Sequence, residues 1–373
     1  MDEDSDARGR AVRHAAPVTE PAQVAGPAAV SRRRVSWRQL VGGGLGLAVI
    51  VGTFVFILPR VADYRDVWAV VKELSWSQVG LLALATLLNL ATYAPPWQAA
   101  LPGLRFRQAF VLTQASTAST YVLPGGAAVG AGVSYGLLRG WGFTGKPVTL
   151  AIGVTGAWNQ FAMLGFPIVA LALLTVSDER NGLLQTVAFV GLAVFLAAAG
   201  AFAAGLASPH LAERVGDAAA RIANWGLRIV RRGPVTWDGR AFVSFRNDAV
   251  GLLRRRWPAL TIATLAGHLT VFLLFLVSLR VLDVSAGEVS AVEAFAAWSL
   301  ARLLGSIPIT PGGIGIVEVG LTSLLVGFGG ENAEVVAAVL VYRFLTIVPT
   351  LVLGLLAGAT WRLHRPDTQE AGG

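Results

Sequence analysis

Apolar residues fill long blocks of the chain, and short polar segments separate the blocks. Each block runs for roughly 20 residues, the length of α-helix needed to cross a hydrocarbon layer about 30 Å thick. The blocks predict six full membrane spans, at 40–58, 78–97, 147–176, 183–207, 258–279 and 333–361. We therefore expect an all-α, polytopic integral membrane protein.

Two further apolar stretches, 108–138 and 291–328, are each interrupted near the middle by Pro-Gly-Gly. Proline lacks a backbone donor and glycine accepts left-handed dihedrals, so the sequence can turn sharply there. We expect two helical hairpins inside the membrane, with turns at Pro124, Gly125, Gly126 and at Pro311, Gly312, Gly313. The pattern leaves open whether each hairpin re-enters or crosses twice.

The hairpins belong to an expected internal repeat, because Pro124 and Pro311 are 187 residues apart and the same spacing relates the spans that follow them. Loops on one predicted side carry twenty Lys and Arg residues, against five on the other. If the basic loops are cytoplasmic, the halves have the same order and opposite orientation, and both termini are cytoplasmic. Many secondary transporters have this inverted repeat, with the substrate site between the halves.

Composition and charge exclude several classes of protein and of chemistry. Only 14% of residues are charged, which is too few for an ordinary soluble domain, and the absence of cysteine excludes disulfides and thiol chemistry. Residues 1–38 are expected to form a disordered cytoplasmic tail, 39–362 the membrane domain and 363–373 a second cytoplasmic tail.

Much of the formal net charge of +8 lies in the loop 208–257. There Arg214, Arg221 and Arg228 recur every seven residues beside an apolar face, which predicts an amphipathic helix at a surface of anionic lipids. The alternative is the general positive bias of cytoplasmic loops. Nucleic-acid binding is not expected.

Few ionisable side chains fall at membrane depth: Arg302, Glu318, Arg343 and His268, with Glu293 near a span end. A charge at a helix centre costs about 2.5–3.5 kcal/mol, so each needs a partner, water or a function. We expect Arg302, Glu318 and Arg343 to meet around one cavity and to bind a lipid phosphate, which matches the arginine fork. The alternative is an ion pair that only locks the hairpin, and His268 is interpreted as a hydrogen-bonded packing residue.

The first half lacks these charges. At the spacing of 187 residues, Ala115, Ala131 and Gly156 replace Arg302, Glu318 and Arg343. The first half is therefore expected to supply a neutral polar wall, comprising Gln114, Ser116, Thr117, Ser119, Thr120, Asn159 and Gln160. Of these we select Gln114, Asn159 and Gln160 as candidate substrate-binding residues, although amides also hold membrane helices together.

The segment Pro311-Gly-Gly-Ile-Gly-Ile-Val-Glu318 closely resembles the Pro-Gly-Gly-x-Gly-x-x-Glu signature of the lysylphosphatidylglycerol synthase transmembrane (flippase-like) family. Tyr342-Arg343 resembles that family's arginine in the last span, and the resemblance covers about 40–362. It implies a bacterial inner-membrane protein that moves, or helps to move, a lipid between leaflets, and we expect the lipid to be an anionic or aminoacylated phospholipid. Here the run 127–132 is neutral, whereas members often carry a charge there, and no soluble aminoacyltransferase domain is evident.

We therefore expect a lipid translocator. The alternatives are a non-transporting partner of a lipid-modifying enzyme or glycosyltransferase, and an intramembrane transferase whose candidate acids would be Asp63 and Asp66. The sequence contains no phosphate-binding loop of the ATPase type and no metal-ligand pattern, so we expect no cofactor, no metal and no enzymatic activity. The oligomeric state stays open.

Overall fold

The computed structural model describes residues 68, 72–122, 126–176, 182–229, 239–306 and 311–360. The expected first span at 40–58, both predicted tails, and the turn residues Pro124 and Gly125 lie outside the described residues. The described part is built from α-helices joined by short turns, in agreement with the expected all-α fold.

The helices begin and end as follows: α1 Trp76–Thr92, α2 Pro95–Ala100, α3 Phe106–Val122, α4 Gly126–Gly140, α5 Gly145–Val176, α6 Gly182–Ala207, α7 Pro209–Ile229, α8 Gly239–Val281, α9 Ala291–Gly305, α10 Ile316–Phe328 and α11 Asn332–Thr360. A single 3₁₀ turn, Pro311–Gly313, precedes α10.

Five helical segments in the described part of the chain are long and apolar enough to cross a membrane. They are Trp76–Ala100, Gly145–Thr175, Phe189–Ala207, Phe242–Val281 and Asn332–Gly358. Each overlaps one of the predicted spans, so the protein is a polytopic membrane protein.

The helices of each expected hairpin pack against each other. Helix α3 packs against α4, and α9 packs against α10. The second turn uses left-handed glycines: φ is 63° at Gly312, 67° at Gly313 and 88° at Gly315. A Cβ atom added at Gly313 would lie 3.0 Å from the Gly305 Cα, so the turn also requires a close approach of backbones.

Each helix pair packs on the long span that follows the other pair. Helix α3, in the first hairpin, packs along α11, which follows the second hairpin; α9, in the second hairpin, packs along α5, which follows the first. The α3–α11 contact is close because Gly354 has no side chain, and a Cβ there would lie 2.8 Å from the Gln114 carbonyl oxygen. The interleaving makes the halves one packed unit.

The hairpin turns also meet each other. The Tyr121 ring, one helical position before the end of α3, packs on Gly312 so closely that a Cβ atom there would collide with it. The 3₁₀ turn contacts α3 along the same edge. The end of one hairpin therefore rests on the end of the other.

The basic segment 208–257 is helical over α7 and the first part of α8, with 230–238 outside the described residues. Helix α7 packs on α8, where Gly216 faces the Phe242 ring. Arg246 of α8 donates to the Leu206 carbonyl at 2.7 Å and the Ala207 carbonyl at 3.0 Å, so it caps the last turn of α6. Arg214, Arg221 and Trp225 are exposed.

Candidate functional site

A buried ion pair joins the second hairpin to the last span. The Arg343 Nε donates to the Glu318 Oε1 at 2.6 Å. The other carboxylate oxygen, Oε2, accepts from the Gly315 backbone N–H at 2.7 Å, and Arg343 Nη2 donates to the Gly312 carbonyl at 3.3 Å. Glu318 is 4% exposed and Arg343 is 8% exposed.

This local arrangement follows from the sequence of the turn. Gly315 has a positive φ and lies directly before α10, whose first backbone N–H groups lack partners within the helix. Glu318, three residues later, turns its carboxylate back to Gly315 and leaves one oxygen for Arg343. The carboxylate thus fixes the turn and neutralises the arginine at the same time.

Arg302 takes a different partner from the one expected. Its Nη2 donates to His268 Nδ1 at 3.3 Å, and its guanidinium lies 5.1 Å from the Trp298 ring centroid. Arg302 and Glu318 do lie on paired helices, but the side of α9 that carries Arg302 is directed at α8, and both Glu318 oxygens already accept from other groups. The three charges therefore divide between two neighbouring clusters.

His268 combines packing with a polar contact. It is buried, lies edge-on to the Phe166 ring at 5.5 Å between centroids, and accepts from Arg302. This agrees with its interpretation as a hydrogen-bonded packing residue. Glu293 is a helix cap: its Oε2 accepts from the Ser290 N–H at 2.7 Å at the start of α9.

Three tyrosines connect the two clusters. The hydroxyls of Tyr121 and Tyr342 lie near both Arg302 and Arg343, and the Tyr93 hydroxyl is hydrogen-bonded to Arg302. Charge at membrane depth does not reveal these phenols, because tyrosine is uncharged and carries an apolar body with a polar tip. The available signal was position: Tyr121 lies three residues before Pro124, and Tyr342 directly precedes Arg343.

A cavity of about 310 Å³ lies between the first hairpin, the α1–α2 segment, α5 and α8. Hydroxyl and amide side chains form much of its wall, and these are Thr113, Ser116, Thr117, Thr120, Ser134, Thr155, Asn159 and Thr264. Tyr93 and His268 line the end that is nearest to Arg302. Gly156 and Asn159 line the cavity and are also exposed, so its mouth opens beside α5.

The expected polar wall is thus present in part. Ser116, Thr117, Thr120 and Asn159 line the cavity, whereas Ser119 does not belong to its lining. Gln114 is buried in α3 outside the lining, and Gln160 is exposed beside Asn159, whose Nδ2 lies 3.5 Å from the Gln160 Oε1. Arg302, Glu318 and Arg343 do not line the cavity; Arg302 lies directly behind His268.

The cavity lies beside two small residues. Ala131 and Gly156 line it, and these are the residues that the spacing of 187 aligns with Glu318 and Arg343. The long side chains of Glu318 and Arg343 bind each other. At the aligned positions of the first half only a methyl group and a hydrogen atom are present, and they border the open volume.

Charge is distributed unevenly around the cavity. Among the described residues its lining contains no Asp, Glu, Lys or Arg. Arg302 contributes a positive charge from behind one end, and Glu318 is occupied by Arg343. Nor do the residues that the structure describes include a group of three or more His, Asp or Glu side chains that could hold a metal ion.

The family model of the lysylphosphatidylglycerol synthase TM region matches residues 44–354. The matched segment contains both hairpins, the cavity and the Glu318–Arg343 pair. A search of curated proteins finds no match to the chain.

Proposed function

Because the chain belongs to the family of the lysylphosphatidylglycerol synthase transmembrane region, we propose that it moves a phosphate-bearing lipid between the leaflets of a bacterial cytoplasmic membrane. One observation carries the proposal: a cavity of about 310 Å³ with hydroxyl and amide groups in its wall opens at the side of a membrane-spanning bundle, next to a cation. Polar groups inside an apolar bundle are costly unless a polar ligand or water contacts them.

The architecture suits this function if the halves form an inverted repeat. The reciprocal packing of α3 on α11 and of α9 on α5 is the pattern that a two-fold axis in the membrane plane would generate. Helix α9 has 15 residues and is about 22 Å long, which is short of the thickness of about 30 Å that a full crossing needs. We infer that the hairpins re-enter from opposite sides and meet at mid-membrane through Tyr121 and Gly312.

The lateral mouth explains how a lipid could use the cavity. Gly156 and Asn159 lie at the mouth, so a headgroup can enter there while its acyl chains stay in the hydrocarbon layer. The phosphate would approach Arg302 through Tyr93 and His268. Arginine stays charged when it is desolvated, and its planar fork matches a phosphate oxyanion.

The Glu318–Arg343 pair has a different role in this proposal. Its two charges neutralise each other, and its hydrogen bonds end on the turn that carries Gly312 and Gly315. We assign it to holding the second hairpin against the last span. Arg302, which has no carboxylate partner among the described residues, is the cation available to a phosphate.

Purified protein in liposomes tests the proposal. Tail-labelled fluorescent phosphatidylglycerol is distributed over both leaflets, and dithionite quenches only the outer one. We expect the protein to expose the inner pool to quenching. No exchange would favour a partner subunit that docks an enzyme through the basic segment 208–257, and chemical conversion of the lipid would favour an intramembrane transferase.

A further inference from the structure

The hydroxyl groups in the cavity wall, four of which already donate their protons to backbone carbonyls, favour one class of lipid headgroup. We propose that the cavity receives an uncharged, hydroxyl-rich headgroup, a glycerol or a single sugar, with the attached phosphate on the side of Arg302. This inference rests on the proposed function and specifies its substrate. It excludes the aminoacylated, cationic headgroup expected from the family resemblance.

Four hydroxyl groups in the cavity wall present hydrogen-bond acceptors to the cavity. The hydroxyl groups of Thr113, Ser116, Thr120 and Thr155 donate to backbone carbonyls of their own helices, at distances of 2.9, 3.2, 2.7 and 2.7 Å. A hydroxyl has one proton and two lone pairs, so in this arrangement these oxygens accept from a ligand. A headgroup with several O–H or N–H donors fits such a wall.

Thr264 supplies an independent sign of a ligand. It lines the cavity, is only 7% exposed, and its Oγ1 has no hydrogen-bond partner among the described residues. A buried hydroxyl without a partner costs about 1–3 kcal/mol, and native structures contain few of them. A hydroxyl-bearing ligand could both donate to Thr264 and accept from it.

Charge distinguishes an ammonium headgroup from an uncharged polyol headgroup, although both donate hydrogen bonds. An ammonium group in the cavity would lose its hydration and find no carboxylate in the described lining, while Arg302 behind His268 would repel it. The nearest acid in the second half, Glu318, accepts from both Arg343 and Gly315. An uncharged polyol donates to the same oxygens without this penalty.

The same argument orients the phosphate. The acceptor lone pairs along α3 and α5 disfavour its oxyanion beside those helices. The favourable end is the one lined by Tyr93 and His268, where Arg302 lies. A volume of about 310 Å³ is at the small end of ligand sites, about 300–1,000 Å³, which suits one glycerol or sugar unit rather than a longer chain of sugars.

Headgroup selectivity in liposomes tests the inference. Four tail-labelled lipids are compared in otherwise identical vesicles: phosphatidylglycerol, phosphatidylinositol, phosphatidylethanolamine and lysylphosphatidylglycerol. We expect phosphatidylglycerol, phosphatidylinositol or both to exchange at least about 5-fold faster than phosphatidylethanolamine and lysylphosphatidylglycerol. The relative rates of phosphatidylglycerol and phosphatidylinositol distinguish a glycerol headgroup from a ring polyol. Lysylphosphatidylglycerol exchanging as fast as phosphatidylglycerol, or faster, would overturn the polyol inference and leave lipid translocation standing. Exchange of none of the four would overturn the proposed function as well.

A Thr264→Val variant tests the role of this hydroxyl in headgroup selectivity. The ratio of two lipid exchange rates would not change if the hydroxyl had only a structural role. Valine has nearly the same shape and removes the unpartnered hydroxyl, so folding should be unaffected or improved. We expect the ratio of phosphatidylglycerol to phosphatidylethanolamine exchange to fall about 2- to 10-fold. Thr175→Val is the matched control, since Thr175 lies outside the cavity and donates to Ala172. An unchanged ratio in Thr264→Val would contradict the assignment of this hydroxyl.

Discussion

Arg343 donates from its Nε to the Glu318 Oε1 at 2.6 Å, and both side chains are buried. This contact joins α11 to the hairpin of α9 and α10, and the other Glu318 oxygen fixes Gly315 in the turn. Two predictions about the hairpin follow from this geometry, and others from the cavity beside it.

Removing one partner of the buried pair should destabilise the protein strongly. Arg343→Ala leaves an uncompensated carboxylate and Glu318→Gln an uncompensated guanidinium, each at a cost of about 3–5 kcal/mol. The double variant Glu318→Gln/Arg343→Gln should cost less than the sum of the single changes, because neither charge is then left alone. Thermal unfolding in detergent measures both effects.

The pair between the exposed Lys146 Nζ and the half-buried Asp248 Oδ2, at 2.8 Å, is the control at the protein surface. Lys146→Ala should change the unfolding temperature little, because exposed ion pairs contribute about 0–1 kcal/mol. Equal, small effects at both pairs would show that the buried pair does not hold the hairpin.

Gly312 should not tolerate a side chain. Its φ of 63° is left-handed, and a Cβ atom would collide with the Tyr121 ring. We expect Gly312→Ala to lower stability by at least about 1–2 kcal/mol, and Gly312→Ala/Tyr121→Ala to recover the part that comes from the collision.

Gly327 of α10 is the matched position for that experiment. An added Cβ there meets no other atom within 4 Å, and alanine is the better helix former by about 0.5–1 kcal/mol. Gly327→Ala should therefore be neutral or stabilising. A Gly312→Ala variant as stable as Gly327→Ala would contradict the contact between the hairpin ends.

Arg302→Ala should impair lipid exchange more than it impairs stability. A hydrogen bond to a charged group contributes about 1.5–3 kcal/mol, so exchange of phosphatidylglycerol should fall about 10- to 100-fold. Exchange is measured in liposomes at equal amounts of reconstituted protein. The exposed Arg107 provides Arg107→Ala as the control. If Arg302→Ala exchanges normally, the phosphate does not use this cation.

The orientation of the repeat can be tested because the chain contains no cysteine. Thr144 precedes α5 and Glu331 precedes α11; both are exposed, and the spacing of 187 residues aligns them. Thr144→Cys should react with an impermeant maleimide only after cells are permeabilised, and Glu331→Cys should react in intact cells. Reaction of both from the same side would contradict an inverted repeat.

The five spans in the described residues and the two packed helix pairs could be predicted because their signals are local. An apolar block of sufficient length specifies a span, and Pro-Gly-Gly specifies a turn whatever surrounds it. The partner of Arg302 could not be predicted in this way. Its choice of His268 depends on the rotation of α9 about its axis, which is set by packing against α5 and α8 as well as against its hairpin partner α10.

The sequence predicts the small residues beside the cavity but not all the side chains that line it. The spacing of the repeat named Ala131 and Gly156 as the counterparts of Glu318 and Arg343, and small residues at those positions imply unfilled volume. Which side chains surround that volume depends on the approach of α8, which brings Thr264 and His268 into the wall. The spacing of 187 residues between the repeats does not specify this contact of α8 with the other helices.

The most direct test of lipid movement through this cavity is to fill it. Gly156→Leu places a side chain at the mouth, where a Cβ atom meets nothing within 4 Å, and Gly132→Leu places one on an exposed face of α4 outside the lining. Leaflet exchange of tail-labelled phosphatidylglycerol should fall to the rate of protein-free liposomes in Gly156→Leu and stay at the wild-type rate in Gly132→Leu. Wild-type exchange in a folded Gly156→Leu protein would contradict passage of the lipid through the cavity.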